Sequence, residues 1–284
     1  MLDSYAVIGN PVSHSKSPLI HTAFAQQTGQ AMQYVALLAP LDGFQATVQD
    51  FRQRGGKGLN VTVPFKLEAY QLSTRLTERA SIAQAVNTLK FENSEILGDN
   101  TDGIGLVRDI ECNLGIPLAG KRILLMGAGG AAQGVILPLL QQQPALLAIA
   151  NRTPEKAAAL RKQFSTYGNI AAGDFMFFTD DHFDIIINAT SASLHNTLPE
   201  LPSSVFTHTL LAYDMMYQHE PTPFLKFAQQ HGAQQITDGI GMLVEQAAES
   251  FFIWRNVRPQ TKPVIAKLKS LVSFGLIRRE FKRL

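Results

Sequence analysis

Short, almost wholly apolar runs alternate with amphipathic stretches along this chain. Tyr5–Gly9 is apolar up to Gly9-Asn10-Pro11, which predicts a buried strand and then a turn. Ser17-Pro18 opens a helix to about Thr28, with proline in its first turn. Gln33–Leu38 predicts a strand, Leu41–Arg54 a helix stopped by Gly55-Gly56, and Gly58–Val63 a strand stopped by Pro64. Helices fill the stretch to about Ala85. Thr88–Phe91 and Ile96–Leu97 form a hairpin across Asn93-Ser94, and Thr101–Leu114 is helical up to Gly115. The alternation then restarts with strand Arg122–Met126, helix Gly130–Gln142, strand Leu146–Ala150 and helix Pro154–Phe164. Asp184–Asn188 and Thr209–Tyr213 have the continuous apolar character of strands covered on both faces. Helix Thr222–His231, the short strand Gln235–Thr237 and helices Met242–Arg255 and Pro263–Leu271 complete the pattern.

Strands alternating with helices predict an α/β fold with mostly parallel sheets. Leu114–Gly120, a helix stop followed by Pro117 and Gly120, is the best linker. We expect two α/β domains, 1–104 joined by 240–284, and 105–239, because the helices after Gly239 have no strand partner left in the second. At 45% hydrophobic and 17% charged, the composition excludes a disordered chain. The net charge of +2 points to no nucleic-acid partner. The charge is concentrated at the end, where Lys267, Lys269, Arg278, Arg279, Lys282 and Arg283 face only Glu280. Cys112 is the sole cysteine, so no intrachain disulfide forms, which suits a reducing, cytoplasmic location. The opening residues show neither the basic nor the apolar region of a leader, and no run is long enough to span a membrane. The seven histidines lack metal-ligand spacing, so no metal is expected. Cys112, Phe251, Phe252 and Trp254 sit at helical spacing and read as packing.

Between the strand ending at Met126 and the following helix stands Gly127-Ala128-Gly129-Gly130-Ala131-Ala132, a G-x-G-x-x-G/A pattern. Gly127 permits the tight turn, Gly129 lets backbone approach a pyrophosphate, and Ala132 lets the helix lie close to the sheet. The N–H groups of the helix start would hold the phosphates. The next strand ends at Ala150-Asn151-Arg152-Thr153, without the acid that holds a ribose 2′-hydroxyl. Arg152 and Lys156 would attract a 2′-phosphate, with Asn151 and Thr153 adding donors, so NADP is expected over NAD. The competing reading is that Asn151 and Thr153 only cap the next helix. No pattern for ATP phosphates occurs.

Three segments carry polar residues at strand ends: Ser13-His14-Ser15-Lys16-Ser17-Pro18, Asn60-Val61-Thr62-Val63-Pro64-Phe65-Lys66, and Asn87-Thr88 with Asp99-Asn100-Thr101-Asp102-Gly103. Ligands of open α/β sheets bind beyond the carboxyl ends of strands. Clustered hydroxyls and amides suit a substrate with several hydroxyl groups. Lys66 and Asp102 are the clear acid/base pair. Hydride transfer to a ketone leaves a developing alkoxide that needs a proton donor beside it, and a lysine oriented by a carboxylate meets that need. The residues alone also allow Lys66 as a solvated helix start and Asp102 as an N-cap.

These segments, together with Gly9-Asn10-Pro11, Ala85-Val86-Asn87-Thr88, Asn188-Ala189-Thr190, Tyr213-Asp214-Met215 and Asp238-Gly239-Ile240-Gly241-Met242-Leu243-Val244-Glu245-Gln246-Ala247, closely resemble shikimate dehydrogenase, in the family's order over about residues 5–270. The resemblance implies a substrate-binding and catalytic domain, an NADP-binding Rossmann-like domain, and NADPH-dependent reduction of 3-dehydroshikimate to shikimate on the way to chorismate and aromatic amino acids. It implies that Ser15 and Ser17 bind the substrate carboxylate and that Thr62, Asn87, Tyr217 and Gln246 hold its hydroxyls or carboxylate. Lys66 and Asp102 would be the catalytic pair. Gly127, Ala128, Gly129, Gly130 and Ala131 would take the dinucleotide, with Thr190, Met215 and Gly239 on the nicotinamide side. It implies a cleft that closes on the ligands, and a monomer or homodimer. Lys156 departs from the arginine frequent in relatives. The basic segment Ser273–Leu284 runs past the usual family end. It reads as a solvated or partly helical tail, or as a weak contact for an anionic surface. The rivals are a quinate/shikimate enzyme using NAD, which Ser17 and Arg152 disfavour, and a binding-only regulatory relative, which has no need of Lys66 and Asp102.

Overall fold

The computed structural model describes residues 2–192, 197–198 and 200–280. The chain divides into two compact units, Met1–Gly105 with Val244–Val264, and Leu106–Leu243 with Ile265–Leu284. The hydrophobic pattern groups all of 240–284 with the first unit, whereas contacts group Ile265–Leu284 with the second.

The first unit is built on a six-stranded sheet of β1 (Asp3–Gly9), β2 (Met32–Leu38), β3 (Gly56–Val61), β4 (Arg75–Leu76), β5 (Thr88–Glu92) and β6 (Glu95–Asp99) in the order β2-β1-β3-β5-β6-β4. β1 runs parallel to β2 and β3, and β5 lies antiparallel between β3 and β6. β1 is buried from Tyr5 through Gly9 because both faces of the sheet are covered. One face packs Ala6, Ile8, Leu59, Val61, Phe65 and Leu89 beneath α2 (Phe44–Gln53) and α3 (Lys66–Leu72), with Phe44 and Phe65 stacked at 5.0 Å. The other packs Tyr5, Val7, Tyr34 and Trp254. α1 (Ser17–Thr28) begins at Ser17 and ends at Gly29, which takes φ +65°. The expected run of helices to Ala85 is instead α3, the two-residue β4 and α4 (Glu78–Ala83). The chain leaves the helix there because Thr74 N and Thr77 N donate to the β6 carbonyls of Ile96 and Gly98. Such a short pairing leaves no period for the sequence to display.

The second unit holds six parallel strands, β7 (Arg122–Met126), β8 (Leu146–Ala150), β9 (Ile170–Gly173), β10 (Ile185–Asn188), β11 (Leu211–Asp214) and β12 (Gln235–Thr237), in the order β12-β11-β10-β7-β8-β9. This is the doubly wound Rossmann-like arrangement, whose order reverses between β7 and β10. α6 (Gly130–Gln141), α7 (Pro154–Phe164) and α8 (Pro223–Gln230) connect the strands. β9 has no counterpart in the expected elements. It is a half-buried edge strand of small residues, Ile-Ala-Ala-Gly, with little apolar signal.

The expected helix Thr101–Leu114 is α-helical only as α5 (Asp102–Arg108) and continues as a π turn over Asp109–Asn113, with Leu114 N bonded to Asp109 O. α9 (Ile240–Arg255) runs from the second unit into the first. α10 (Lys262–Glu280) extends well past the expected Leu271. It carries the backbone of the basic segment 273–284 as far as Glu280, and residues 281–284 lie outside the described residues. Among the described residues no helix is long and apolar enough to cross a membrane, and no group of three or more His, Cys, Asp or Glu is arranged to hold a metal.

Candidate active site

In the first unit the ends of β1, β3 and β5 gather polar residues at one place. A Cβ added at Gly9 would lie 2.4 Å from Thr62 Cγ2, so glycine is what lets these two strand ends touch. Thr62 N donates to Ile8 O, and Asn10 N to Val63 O. Ser15 and Ser17 follow on the entry to α1, with Ser17 N donating to Ser15 Oγ at 3.2 Å. Ser17 is buried and Ser15 half-buried. The turn 62–65 buries Phe65 and leaves Val63 and Pro64 exposed, which sets Lys66 at the first residue of α3.

Lys66 Nζ lies 2.5 Å from Asp102 Oδ2. The lysine side chain is 32% exposed and the carboxylate 13%, so the pair offers its amine outward and keeps its carboxylate covered. Asp102 is the first residue of α5 and not its cap; Asn100 Oδ1 accepts from Asp102 N instead. The second carboxylate oxygen, Oδ1, accepts from Asn87 Nδ2 at 2.8 Å. Asn87 Oδ1 is held on the far side by Thr101 N, Thr101 Oγ1 and Thr88 Oγ1. Gln246 of α9 completes the group, its Oε1 accepting from Thr101 Oγ1 at 3.3 Å and Asn87 Nδ2 at 3.4 Å. Its amide nitrogen is thereby turned away from these partners. Below lies Asn60, whose Oδ1 accepts from Tyr34 OH at 2.7 Å and whose Nδ2 faces Thr88 and Ser250. Burial raises the Tyr34 phenol well above its usual range, with Ser17 opposing, so it remains a donor.

Six of the expected substrate and catalytic residues (Ser15, Ser17, Thr62, Lys66, Asn87, Asp102) and Gln246 thus belong to the first unit, and Tyr217 belongs to the second. Tyr217 is half-buried there, its phenol raised by burial and then by Asp238.

In the second unit, Gly127 adopts φ +109°, and an added Cβ would stand 3.2 Å from the Ala189 backbone. Only glycine serves both demands. Ala132 is fully buried against the sheet. Gly129 caps α6 without a side-chain bond, and a Cβ at Gly129 or Gly130 would meet nothing within 4 Å. The start of α6 is therefore uncrowded at both glycines, and with the free N–H groups of a helix N-terminus it fits a pyrophosphate. Ala128 and Ala131 complete the loop without charge or bulk. At the β8 end, Asn151 Nδ2 donates to Thr153 O at 2.9 Å, while Thr153 precedes α7 with no side-chain cap bond. The expected alternative, capping by Thr153, is not made. Arg152, Thr153 and Lys156 are exposed. This donor set, with no acid at the end of β8 itself and Glu155 one residue before Lys156 in α7, fits a ribose 2′-phosphate.

Thr190 stands beside Gly127, its Oγ1 donating to Asn188 Oδ1 at 2.7 Å. Asn188 in turn donates to Asp214 Oδ2, which also accepts from Thr222 Oγ1. Met215 N donates to Asn188 O, and a Cβ at Gly239 would sit 2.2 Å from Met215 O. Thr190, Met215 and Gly239 are thus drawn together at the carboxyl ends of β10 and β11, beside the point where strand order reverses.

Thr88, Thr101, Asn60 and Ser250 are given no role of their own in the sequence reading, yet they hold the site's amides. Thr88, Thr101 and Asn60 lie inside motifs that the reading singles out. Ser250 stands four residues after Gln246, one helical turn on, and that spacing was its available signal.

Family models match three stretches: "Shikimate dehydrogenase substrate binding domain" over residues 7–89, "Shikimate / quinate 5-dehydrogenase" over 111–200 and "Shikimate 5'-dehydrogenase C-terminal domain" over 239–269. The chain is 65% identical over 269 residues to a shikimate dehydrogenase (NADP(+)) of Nitrosomonas europaea, covering 94% of this chain and 97% of that one. Among solved structures it resembles an Ael1 enzyme from Pseudomonas putida, with TM-score 0.90, 51% identity and coverage of 94% and 98%. It also resembles shikimate 5-dehydrogenase from Thermus thermophilus in complex with NADP(H) and shikimate, with TM-score 0.84, 28% identity and coverage of 96% and 100%.

Proposed function

The chain belongs to the shikimate dehydrogenase family, and from that premise we propose that its first unit binds shikimate or 3-dehydroshikimate and its second binds NADP(H). The reaction is the reversible, NADPH-dependent reduction of 3-dehydroshikimate to shikimate, an oxidoreductase step at a secondary alcohol. The nicotinamide supplies the hydride. Lys66 Nζ gives its proton to the oxygen that becomes the alcohol, and in the reverse direction takes it back. Asp102 holds the amine in place and balances its charge, and Asn87 holds Asp102. Ser15 and Ser17 take the substrate carboxylate. Thr62, Asn87, Tyr217 and Gln246 take its hydroxyls or carboxylate. The Gly127–Ala131 loop takes the pyrophosphate, Asn151, Arg152, Thr153 and Lys156 the 2′-phosphate, and Thr190, Met215 and Gly239 line the nicotinamide. The chain's own oligomeric state is a monomer or homodimer in this reading.

The observation that carries the catalytic assignment is the Lys66–Asp102 contact, braced from behind by Asn87. Purified protein with shikimate and NADP is expected to form NADPH rapidly, and quinate or NAD to serve poorly. Lys66→Ala lowers kcat by about 10²-fold or more while NADP binding persists. Wild-type turnover in that variant removes Lys66 from the mechanism. Folded protein that binds NADP yet turns over no pair of substrates removes the dehydrogenase reading in favour of a regulatory relative.

A further inference from the structure

Tyr34, Asn60, Thr88, Thr101 and Ser250 have no part in the reaction above, yet their side chains form a single buried run of hydrogen bonds that reaches Asp102 through Asn87. We propose that the Thr88 and Ser250 hydroxyls are positioning groups for the Lys66–Asp102 pair, acting through the amide of Asn87. This inference rests on the assignment of Lys66 and Asp102 as the proton-transfer pair.

An asparagine amide has two orientations, and only one serves Asp102. As it stands, Asn87 presents Nδ2 to Asp102 Oδ1 at 2.8 Å. Turned over, it would set its carbonyl oxygen against a carboxylate oxygen, two acceptors facing each other. The orientation is held by two donors to Asn87 Oδ1, Thr101 N at 2.9 Å and Thr88 Oγ1 at 2.9 Å. Thr101 Oγ1 lies 3.1 Å from Oδ1 and 3.0 Å from Nδ2 and also reaches Gln246 Oε1, so it does not select between the two orientations.

The Thr88 proton is directed to Asn87 by what surrounds it. Tyr34 OH donates to Asn60 Oδ1, which fixes the Asn60 amide with Nδ2 toward the two hydroxyls. Asn60 Nδ2 then offers protons to Ser250 Oγ at 2.9 Å and Thr88 Oγ1 at 3.2 Å. Ser250 places its own proton on the Gln246 carbonyl, 3.0 Å away and one turn back in α9, or on Thr88 Oγ1 at 2.7 Å. Where Ser250 donates to Thr88, or Asn60 Nδ2 supplies it, Thr88 gives its proton to Asn87 Oδ1 at 2.9 Å; with the Ser250 proton on Gln246, Ser250 Oγ is a second acceptor within its reach. Thr88 and Ser250 are fully buried, so no bulk water replaces a lost partner.

The test compares Thr88→Val, which removes the hydroxyl at nearly constant shape, with Thr88→Ser, which keeps it, and with Ser250→Ala. Steady-state kinetics with shikimate and NADP are read beside thermal unfolding. Thr88→Val is expected to lower kcat about tenfold and, because Asn87 also takes a substrate group, to raise KM for shikimate by less than about threefold, so that the loss falls mainly on the reacting pair. Thr88→Ser returns kcat to within about threefold of wild type, and Ser250→Ala lowers it about threefold. Folded Thr88→Val and Ser250→Ala proteins with wild-type kcat, or with losses confined to KM, overturn the inference. If Thr88→Val does not fold, Ser250→Ala decides by the same criteria. Lys66→Ala in the same assay separates the two levels. Loss of turnover there with intact hydroxyl variants sinks the inference alone, and wild-type turnover there sinks the proton-transfer pair and the inference with it.

Discussion

His21 makes the stability of the first unit depend on pH in a way that one substitution removes. Its imidazole is fully buried, stacked on Tyr34 at 4.2 Å and 8°, with Phe24, Trp254 and Phe251 around it. Neither ring nitrogen has a hydrogen-bond partner among the described residues. Burial pulls the pKa from 6.5 down to about 3, with the nearby Asn60 opposing. The unfolded chain therefore binds a proton below about pH 6.5 that the folded chain refuses until about pH 3. Stability is fully present above the unfolded value and declines as pH falls through that window. At 1.36 kcal/mol per unit the whole window is worth roughly 5 kcal/mol, and about 3 kcal/mol is lost by about pH 4.5. His21→Phe keeps a ring in the stack and removes the titration. Urea unfolding of both proteins at about pH 8 and about pH 4.5 separates this group from every carboxylate they share. The variant should match or exceed wild type at the higher pH, since two unpaired nitrogens are gone, and lose about 3 kcal/mol less on acidification. Equal losses in the two proteins would refute the reasoning.

Two further outcomes follow from single residues. Arg152→Ala is expected to raise KM for NADP about tenfold and leave NAD nearly unaffected, with the difference shrinking at high salt because the guanidinium is exposed. Steady-state kinetics with both cofactors check it, and equal effects on the two would place the 2′-phosphate elsewhere. Gly241→Ala would set a Cβ 2.0 to 2.2 Å from the Asp109 carboxylate, which Tyr213 OH and Asn113 Nδ2 already hold. Relieving that overlap breaks those bonds and costs about 3 kcal/mol in urea unfolding. A variant as stable as wild type would show that the carboxylate yields freely.

What the sequence displayed depended on how far each feature repeats. β7, β8, α7 and β12 have the expected boundaries, because glycine, proline or a polar break marks their ends. β4 and β9 were hidden, since two paired residues or a strand of small side chains carries no period. The π turn after Arg108 was hidden for another reason: it answers to Asp109, whose partner Tyr213 lies 104 positions away. In the site, the chemically loud residues stood out: Lys66, Asp102 and the glycines of the α6 loop. Thr88 stood inside a quoted motif and Ser250 one helical turn from Gln246, but neither showed its role, because a buried hydroxyl looks like any small core residue until its partners are known. The family resemblance brought in Gln246, whose place beside Asn87 no local pattern reveals.

Gln246 shares its face of α9 with Glu249, Ser250 and Trp254, spaced three, four and eight residues along, and each is tied to the first unit's sheet side by a polar bond. Glu249 meets Arg79, which Asp99 grips with both oxygens, and also Arg258. Burial alone would lower the Arg79 pKa, but Asp99 and Glu249 more than reverse this, so the guanidinium stays charged. Ser250 meets Asn60 and Thr88. Trp254 Nε1 donates to Leu89 O at 2.9 Å, at a place where a Cβ on Gly58 would stand 2.4 Å from that nitrogen. An apolar face could slide by a fraction of a turn at small cost, because dispersion contacts are re-formed in many registers. This face cannot, because any slip strands a buried charge, hydroxyl or indole N–H without a partner. The register of α9 is therefore set by polar matching, and Gln246 reaches Asn87 and Thr101 because its three companions have no other place to be satisfied.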